Sequence, residues 1–371
     1  MPVTIRTIQT SIPAVKLGQS EIRDVFAAQE HLTRLGRRLI HTSFDSAAIS
    51  TRYSCVAEFD ASTPVPQEPT FYDRTTGALL SPTTRQRNQH YVRHAPQLFI
   101  QAARRALEAC PDLSPGDITH VITVSCTGFY NPGPDYQLVR ELGLKPSTVR
   151  HHLGFMGCYA AFPALRAAWD FCRADPKAVV LVVSAELCTL HVHSSNDPDT
   201  IMGSAIFADG AAAAVVSSGE HSGLAIEDFQ TTLTPVGEEA MAWNIGDHGF
   251  EMVLGTYVPH IIDENITGAL QPLLHNGQRD IPVSEIRHWG IHPGGRAILD
   301  RIQKRLELTD EQLAPARRVL RDYGNMSSAT VLFVLKDIVE SARREPPEKV
   351  CAMAFGPGLT VETGLFTLNQ E

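Results

Sequence analysis

The sequence predicts an α/β protein that contains a duplicated strand–helix–strand unit. Residues 120–126 (HVITVSC) and 178–184 (AVVLVVS) are short, β-branched apolar runs typical of buried strands, and an apolar helical segment lies between them. The C-terminal part repeats this order, with apolar strand-like runs at 286–292 (IRHWGIH) and 349–355 (KVCAMAF) on either side of a second apolar helical segment. Two such units predict two related halves of one α/β fold.

Matching residues occur at equivalent points of the two units. The first strand ends in Cys126-Thr-Gly and the other in His292-Pro-Gly, while the helical segments open with Gly-Cys158 and Gly-Asn325. Cys158 follows Cys126 by 32 residues, and Asn325 follows His292 by 33 residues. In a pseudo-twofold arrangement, Cys158, His292 and Asn325 would therefore face one central point.

The N-terminal part is less regular. Residues 20–40 begin with Ser20 as a possible N-cap and carry apolar side chains near helical spacing, which predicts a helix. Residues 64–82 are rich in turn-forming residues. Residues 94–110 (HAPQLFIQAARRALEAC) then read as an amphipathic helix.

Composition narrows the class of protein. The chain has 371 residues, 43% of them hydrophobic, which suggests two domains or one large two-lobed unit. Its formal net charge is -9 and its basic residues are spread along the chain, so we expect no nucleic-acid partner. No signal pattern or apolar run of ~18 residues is present, so we expect no membrane span and a cytoplasmic location.

Cysteine and histidine usage gives two further expectations. The seven cysteines are widely spaced without a CxxC pair, which is typical of reduced thiols rather than of a disulfide framework. The chain has 15 histidines, but the pairs His191-Val-His193 and His151-His152 lack nearby Cys or carboxylate partners at ligand spacing, so we expect no metal site.

Cys158, His292 and Asn325 can each be interpreted in two ways. Taken singly, Cys158 reads as a buried structural thiol, His292 as a hydrogen-bonded core histidine and Asn325 as a helix N-cap. Taken together, a thiol at a helix start, a histidine that can become cationic and an amide donor suit acyl transfer, with a thiolate expected at neutral pH. Papain-type cysteine proteases also use Cys, His and Asn, so the residue types alone leave the reaction open.

Longer motifs carry a family resemblance from about residue 118 to the C-terminus. GPDYQLVRELGL (133–144), GFMGCYAAFPALR (154–166), IFADGAAAAVV (206–216), WGIHPGGRAILD (289–300), YGNMSSATVLFVL (323–335) and FGPGLTVET (355–363) resemble the type III polyketide synthases, relatives of chalcone synthase in the thiolase superfamily. The likeness extends to the bacterial-type alkylpyrone and alkylresorcinol synthases. The first ~110 residues match weakly.

This resemblance implies a thiolase-like fold with duplicated mixed-sheet halves, layered α-β-α-β-α, and a homodimer. Residues 1–220 would form the half with the nucleophile Cys158, and residues 221–371 the half with His292 and Asn325. It implies repeated decarboxylative Claisen condensation of malonyl-CoA onto an acyl-CoA starter, followed by cyclisation to a pyrone or resorcinol-type product. CoA thioesters are then substrates, and no cofactor is expected.

The resemblance also implies roles for residues around the triad. Phe207 and Phe250 match aromatic gatekeepers between a CoA tunnel and the reaction cavity, and Arg52 and Ala297 fall in the CoA site. Cys188 and His191 lie where chalcone synthase has threonines, and Asn131 where it has a methionine that crosses the dimer interface. Small side chains at Thr127 and Cys188 predict a side tunnel for a fatty acyl starter. The predicted substrate pocket comprises Phe207, Phe250, Thr127, Cys188, His191, Asn131 and Ser327.

Other classes remain to be weighed. A ketoacyl synthase shares Cys, His and Asn but condenses once, with an acyl carrier protein. The HPGGRAILD and FGPGLTVET segments favour the CoA-dependent family. A cysteine protease is disfavoured by the duplicated unit and by the lack of a CGSCW motif. A non-catalytic acyl-CoA-binding protein would be expected to lack one of the three residues.

Overall fold

The computed structural model describes residues 1–277, 279–342 and 347–369. Its helices are α1 Gln19–Ala27, α2 Arg34–Ser46, α3 Thr84–Glu108, α4 Pro134–Glu141, α5 Ala161–Ala174, α6 Pro198–Ile206, α7 Val258–Leu274, α8 Arg296–Leu306, α9 Asp310–Tyr323 and α10 Thr330–Ser341. Its strands are β1 Val3–Ser11, β2 Val15–Gly18, β3 Thr51–Ser54, β4 Tyr72–Asp73, β5 Ala78–Leu79, β6 His120–Ser125, β7 Val149–Gly154, β8 Val179–Leu187, β9 Asp209–Ser218, β10 Gly223–Leu233, β11 Met241–Gly246, β12 Gly249–Leu254, β13 Ile286–Ile291, β14 Glu348–Gly356 and β15 Thr360–Asn369.

The main sheet of the described residues repeats one strand order on either side of its centre. Nine strands follow the order β13-β14-β15-β10-β1-β9-β8-β6-β7. In each half the strands of the predicted unit run parallel, β6 with β8 and β13 with β14. The next strand of each half, β9 or β15, is antiparallel to its neighbour. The halves meet at the antiparallel pair of β1 and β10, and this confirms the predicted duplication.

Helices fill the space between the halves and cover their outer faces. Helix α5 contacts β8 and β9 of one half and β10 and β15 of the other, and α10 likewise contacts β1 and β9 as well as β13 and β14. Helix α3 lies on the outer side of β1, β8 and β9, while α7 and α9 cover the second half. The layers therefore run α-β-α-β-α, and the helical segments predicted to be apolar are the central layer.

Four predicted elements differ in their bounds. Residues 20–40 form two helices, α1 and α2, because the chain turns at 28–33. The amphipathic helix predicted at 94–110 begins ten residues earlier, at Thr84, where the Thr83 side chain caps it. Helices α5 and α10 start three and five residues after Cys158 and Asn325. Both functional side chains therefore lie in turns just before the helices.

Glycines with left-handed backbone precede both of these residues. Gly157 has φ +81°, and a Cβ there would lie 2.6 Å from Pro357 Cδ. Gly324 has φ +72°, and a Cβ there would lie 3.0 Å from the Ile206 carbonyl oxygen. Only glycine adopts such conformations at no steric cost, so the Gly-Cys158 and Gly-Asn325 pairs read from the sequence are equivalent turns of the two halves.

The structure was also searched for membrane-spanning segments. Within residues 1–277, 279–342 and 347–369, no helix is both long and apolar enough to cross a membrane.

Candidate active site

Cys158, His292 and Asn325 line one small cavity where the two halves meet. Cys158 comes from the turn before α5 in the first half, while His292 follows β13 and Asn325 follows α9 in the second. The three side chains are buried. The fold thus brings together the residues that the sequence singled out, although Cys158 precedes the other two by more than a hundred positions.

The Cys158 thiol lies almost out of contact with solvent, at 9% exposure. Burial raises its pKa to about 11, because a thiolate in the interior loses its hydration. Hydrogen bonds from the side chains of Ser327 and Asn325 act in the opposite direction and stabilise the thiolate. The sequence analysis predicted a thiolate at neutral pH, whereas burial here favours the neutral thiol.

His292 is held by its backbone while its ring is left unpaired. The backbone N–H donates to the Met353 carbonyl oxygen at 2.8 Å. Neither ring nitrogen has a hydrogen-bond partner among the described residues, although both are buried. Burial lowers the pKa of His292 to about 3. A buried polar ring without a partner is costly and typical of a group that serves a ligand or a reaction.

Asn325 is oriented by the chain around it. Its backbone N–H donates to the Ile206 carbonyl oxygen and its carbonyl accepts from Ala208, both at 2.9 Å. Its side-chain Oδ1 accepts the Ser327 N–H at 2.9 Å, which leaves the Nδ2 group to donate. Nδ2 reaches the Gly294 carbonyl oxygen at 3.3 Å as well as the Cys158 thiol. The amide is therefore fixed as a donor toward the reacting sulfur.

The burial of both Cys158 and His292 has one consequence for their charges. Desolvation disfavours a thiolate or an imidazolium taken singly. Moving the thiol proton to His292 creates both charges at once, and opposite charges attract strongly in a medium of low dielectric constant. A charged Cys158 in this cavity thus requires a charged His292.

A second small cavity lies on the other side of Cys158. Its volume is about 20 Å³, enough for about one water molecule. The predicted pocket residues Thr127, Cys188 and Ser327 line it, together with Cys126. Ser327 has φ +46°, an uncommon backbone conformation for a residue other than glycine.

Glu186 is a buried carboxylate beside this cavity that the sequence analysis missed. It accepts hydrogen bonds from the Cys126 N–H at 2.9 Å, from the Thr127 hydroxyl at 2.8 Å and from the Ser328 hydroxyl. Burial raises the pKa of Glu186. Its signal was present in the sequence, since an acidic residue stands near the end of the apolar run that forms β8. The Thr127 hydroxyl is engaged in this network.

The β11–β12 hairpin closes the cavities over Cys158, a feature that the sequence analysis also missed. Met241 and Trp243 of β11 and Met252 of β12 line the cavity that holds Cys158 and Cys188. The Trp243 indole N–H donates to the Cys126 carbonyl oxygen at 2.8 Å, which fastens the hairpin over the site. Because these residues are distant from the recognised motifs, only the folded chain shows that they wall the nucleophile.

The two predicted gatekeepers lie at different places in the structure. Phe207 lines both cavities that contain Cys158. Phe250 lines a larger cavity of about 270 Å³ instead, and its ring stacks on His191 with 4.1 Å between centroids. Met252, two residues further along β12, lines all three cavities. Phe250 thus lies on a cavity next to the one that holds Cys158, and the gatekeeper roles of Phe207 and Phe250 stay predictions.

His191 has a structural role at the edge of the larger cavity. Its Nε2–H donates to the Thr127 carbonyl oxygen at 2.7 Å, and its Nδ1 accepts the Phe250 N–H at 3.0 Å. Burial lowers the pKa of His191 to about 3, so the ring is neutral. It joins β12 to the loop after β6.

An entrance cavity of about 290 Å³ leads to the triad. It is lined by parts of α2, α6, α7 and α8 and includes the predicted residue Ala297. It shares Leu254, Gly294 and Ile298 with the cavity of the three catalytic candidates. A long substrate could therefore lie in the entrance with its reactive end beside Cys158.

The assignment of Arg52 to the phosphates of CoA was wrong. Arg52 is 2% exposed, and its guanidinium donates to the carbonyl oxygens of Ser204 and Phe207 at 2.8 and 2.7 Å. Burial lowers the pKa of Arg52 to about 10. The side chain braces the backbone of Phe207 beneath the site, so it does not reach an incoming phosphate.

Two remaining expectations concern residues outside the cavities. Asn131 is exposed in the loop between β6 and α4, so the structure of one chain does not place it in the pocket. Among the described residues, no group of three or more His, Cys, Asp or Glu side chains could hold a metal ion.

Comparison with solved structures gives the same overall shape. PKS-I of the brown alga Ectocarpus siliculosus is 29% identical, with 99% of this chain and 98% of that one covered and a TM-score of 0.92. The C-terminal type III polyketide synthase domain of Steely1, a type I/III hybrid from Dictyostelium, is 27% identical, with 99% of both chains covered and a TM-score of 0.88. A fungal type III polyketide synthase, ORAS, has the same fold at 24% identity, 100% coverage of both chains and a TM-score of 0.86.

Family comparison covers almost the whole chain. The N-terminal domain of the chalcone and stilbene synthases matches residues 2–220, and their C-terminal domain matches residues 226–368. Together with the thiolase-like layers and the site between the halves, these matches show that the chain belongs to the chalcone and stilbene synthase family, the type III polyketide synthases.

Proposed function

We propose that the protein extends an acyl group held on Cys158 with malonyl-CoA units. The observation that carries this proposal is the shared cavity of Cys158, His292 and Asn325, which joins the entrance cavity through Leu254, Gly294 and Ile298. A nucleophile with two donors beside it, reached through a narrow apolar entrance, suits transfer of an acyl group away from water.

The steps follow from the chemistry of the three side chains. Cys158 passes its proton to His292 and attacks the thioester carbonyl of the starter, and CoA leaves. Malonyl-CoA then loses CO₂, and the enolate that remains has its oxygen stabilised by N–H groups of His292 and Asn325. The enolate carbon attacks the Cys158 thioester carbonyl, which frees the thiolate and leaves the lengthened chain on CoA. The thiolate then attacks the new CoA thioester, CoA leaves, and the chain is again held on Cys158 for the next round. After several rounds the poly-β-ketone closes to a pyrone or resorcinol-type ring.

Starter choice depends on the wall beside Cys188. Cys188, Phe207, Trp243 and Met252 lie on both the cavity of Cys158 and the larger cavity of about 270 Å³. We propose that a fatty acyl starter would place its tail in this larger cavity. Trp243 stands in the passage, so the length of tail accepted depends on this side chain.

Incubation with malonyl-CoA and acyl-CoAs from acetyl to palmitoyl tests the function. We expect products that carry several malonyl-derived units, read by mass spectrometry, without an added carrier protein. Cys188→Phe should lower the ratio of kcat/KM for long against short starters, and Trp243→Ala should raise it. Each methylene that the larger cavity removes fully from water contributes at most about 0.8 kcal/mol, or about fourfold in this ratio, and less where it lies against polar lining such as His193, Ser194 and Glu251.

Two results would count against these proposals in different ways. A single extension that requires an acyl carrier protein would replace repeated condensation by the ketoacyl synthase reaction. If neither substitution changes the ratio of kcat/KM for long against short starters, the starter tail does not bind in the larger cavity. The proposed condensation reaction would not be affected by that result. Malonyl-CoA decarboxylation serves as the control, because it uses no starter tail.

We also propose that the protein is a homodimer. Strand β7 is the last strand of the main sheet on one side, and most of its residues are exposed. Phe129, Tyr136 and Val149 near this edge are exposed large apolar or aromatic residues, and Asn131 lies in the same region. Unpaired sheet edges are sites of association between chains. Light scattering after size exclusion should give about twice the 40.6 kDa chain mass; the mass of one chain would contradict the proposal.

A further inference from the structure

Three thiols, those of Cys126, Cys158 and Cys188, line one cavity next to Ser327. The proposed condensation uses the Cys158 thiol as its nucleophile and gives Cys126 no step. Burial raises the pKa of Cys126 well above its usual value, so it is a neutral thiol under ordinary conditions. A second thiol that faces a reactive one therefore requires an explanation beyond condensation.

The Ser327 hydroxyl brings Cys126 and Cys158 side by side. Its Oγ lies 3.3 Å from Cys126 Sγ, and its side chain also hydrogen-bonds the Cys158 thiol. Among the hydrogen bonds of the described residues, Ser327 has no such contact with Cys188. One small group thus touches both sulfurs, which makes Cys126 the better-placed neighbour of Cys158.

The backbone of Cys126 is held firmly, so its side chain is the part that can move. Its N–H donates to Glu186 at 2.9 Å, and its carbonyl oxygen accepts from the Trp243 indole at 2.8 Å. Cys126 and Cys158 are both buried, and each lies in a turn outside the strands and helices. We expect rotation of the Cys126 side chain away from Ser327 to bring its sulfur toward that of Cys158.

We propose that Cys126 is a resolving thiol for Cys158 under oxidation by a peroxide. The Cys158 thiolate attacks one peroxide oxygen, so the O–O bond breaks, Cys158 becomes a sulfenic acid and water or an alcohol leaves. The Cys126 thiol then attacks the oxidised sulfur and displaces water, which forms a Cys126–Cys158 disulfide. The peroxide is reduced and two thiols are oxidised. A dithiol reductant restores both, whereas further oxidation of a lone sulfenic acid is irreversible.

Oxidation of the site would be reversible, since a dithiol reductant restores both thiols. The disulfide would stop chain loading reversibly, because the nucleophile is then occupied. The proposal requires a reactive Cys158 but does not require that the enzyme condense malonyl-CoA.

The test is mass spectrometry of the full-length protein after exposure to hydrogen peroxide, with peptide mapping. We expect loss of two hydrogens, a peptide that joins Cys126 to Cys158, and recovery of iodoacetamide labelling at Cys158 after dithiothreitol. Cys126→Ser should instead accumulate sulfinic acid at Cys158 and recover no labelling. Cys188→Ser, which alters another thiol of the same cavity, should still form the disulfide.

Each alternative outcome contradicts the proposal. If the parent and Cys126→Ser accumulate the same amount of sulfinic acid at Cys158, Cys126 does not protect Cys158. A disulfide-linked peptide that joins Cys158 to Cys188 would show that Cys188, rather than Cys126, is the resolving thiol. Peptide mapping of the unsubstituted protein decides the linkage even if Cys126→Ser folds poorly. Absence of any Cys158 oxidation, together with absent iodoacetamide labelling, would overturn the reactive thiol itself and hence the proposed function as well.

Discussion

Replacing Cys158 by alanine is expected to abolish chain loading and extension. In the proposed mechanism this side chain carries the acyl group, and nucleophile removal in comparable enzymes costs at least roughly 10⁴-fold in kcat. Intact-protein mass spectrometry with an acyl-CoA should show an adduct on the parent protein and none on Cys158→Ala. Product formation from malonyl-CoA should fall with it.

Cys172→Ala is the matched control for this experiment. Cys172 is a buried thiol on α5, the helix that follows Cys158, and it hydrogen-bonds the carbonyl oxygens of Ala178 and Val216 rather than facing a cavity. Its replacement should retain the adduct. Should the acyl group instead be found on Cys126 or Cys188, the assignment of the nucleophile would be wrong.

His292→Ala is expected to slow condensation and to change the pH dependence of Cys158 alkylation. Loss of one enolate donor costs roughly 10²–10³ in rate. Without an imidazole to take its proton, the Cys158 thiol should titrate at the raised pKa that burial favours. Because the thiolate fraction falls as pH drops below the pKa, iodoacetamide labelling should rise about tenfold per pH unit from pH 7 to 10.

The parent protein should show a different pH profile. Transfer of the proton to His292 yields the thiolate together with the imidazolium, so labelling should persist near neutral pH. Asn325→Ala separates the two roles of the donors: it should lose malonyl-CoA decarboxylation by a similar factor while labelling changes by less than about tenfold, the effect of one hydrogen bond. Identical labelling profiles for the parent and His292→Ala would refute the ion pair.

The pattern of apolar residues in the sequence was enough to predict the fold class. Apolar runs of strand length, two apolar helical segments and the repeated Gly-Cys158 and Gly-Asn325 turns predicted a duplicated α/β fold, and the sheet order confirms it. Such patterns can be read from short segments of the sequence, because a buried strand or a central helix is apolar along its whole length. Glycine recurs before Cys158 and Asn325 because the backbone at Gly157 and Gly324 has a positive φ.

The sequence by itself determined which residues are candidates for catalysis, because residue type and position in the repeat can be read directly from it. The tertiary structure decided what surrounds them. Arg52 does not fit its expected place in the CoA site because the fold buries its guanidinium against carbonyl groups, and Met252 of β12 lines the cavity of Cys158. Glu186 and Trp243 contact the surroundings of Cys158 because segments that are distant in the sequence meet around one cavity. Burial and proximity between remote segments arise only when the chain is folded, and they set the pKa of Cys158 and of His292.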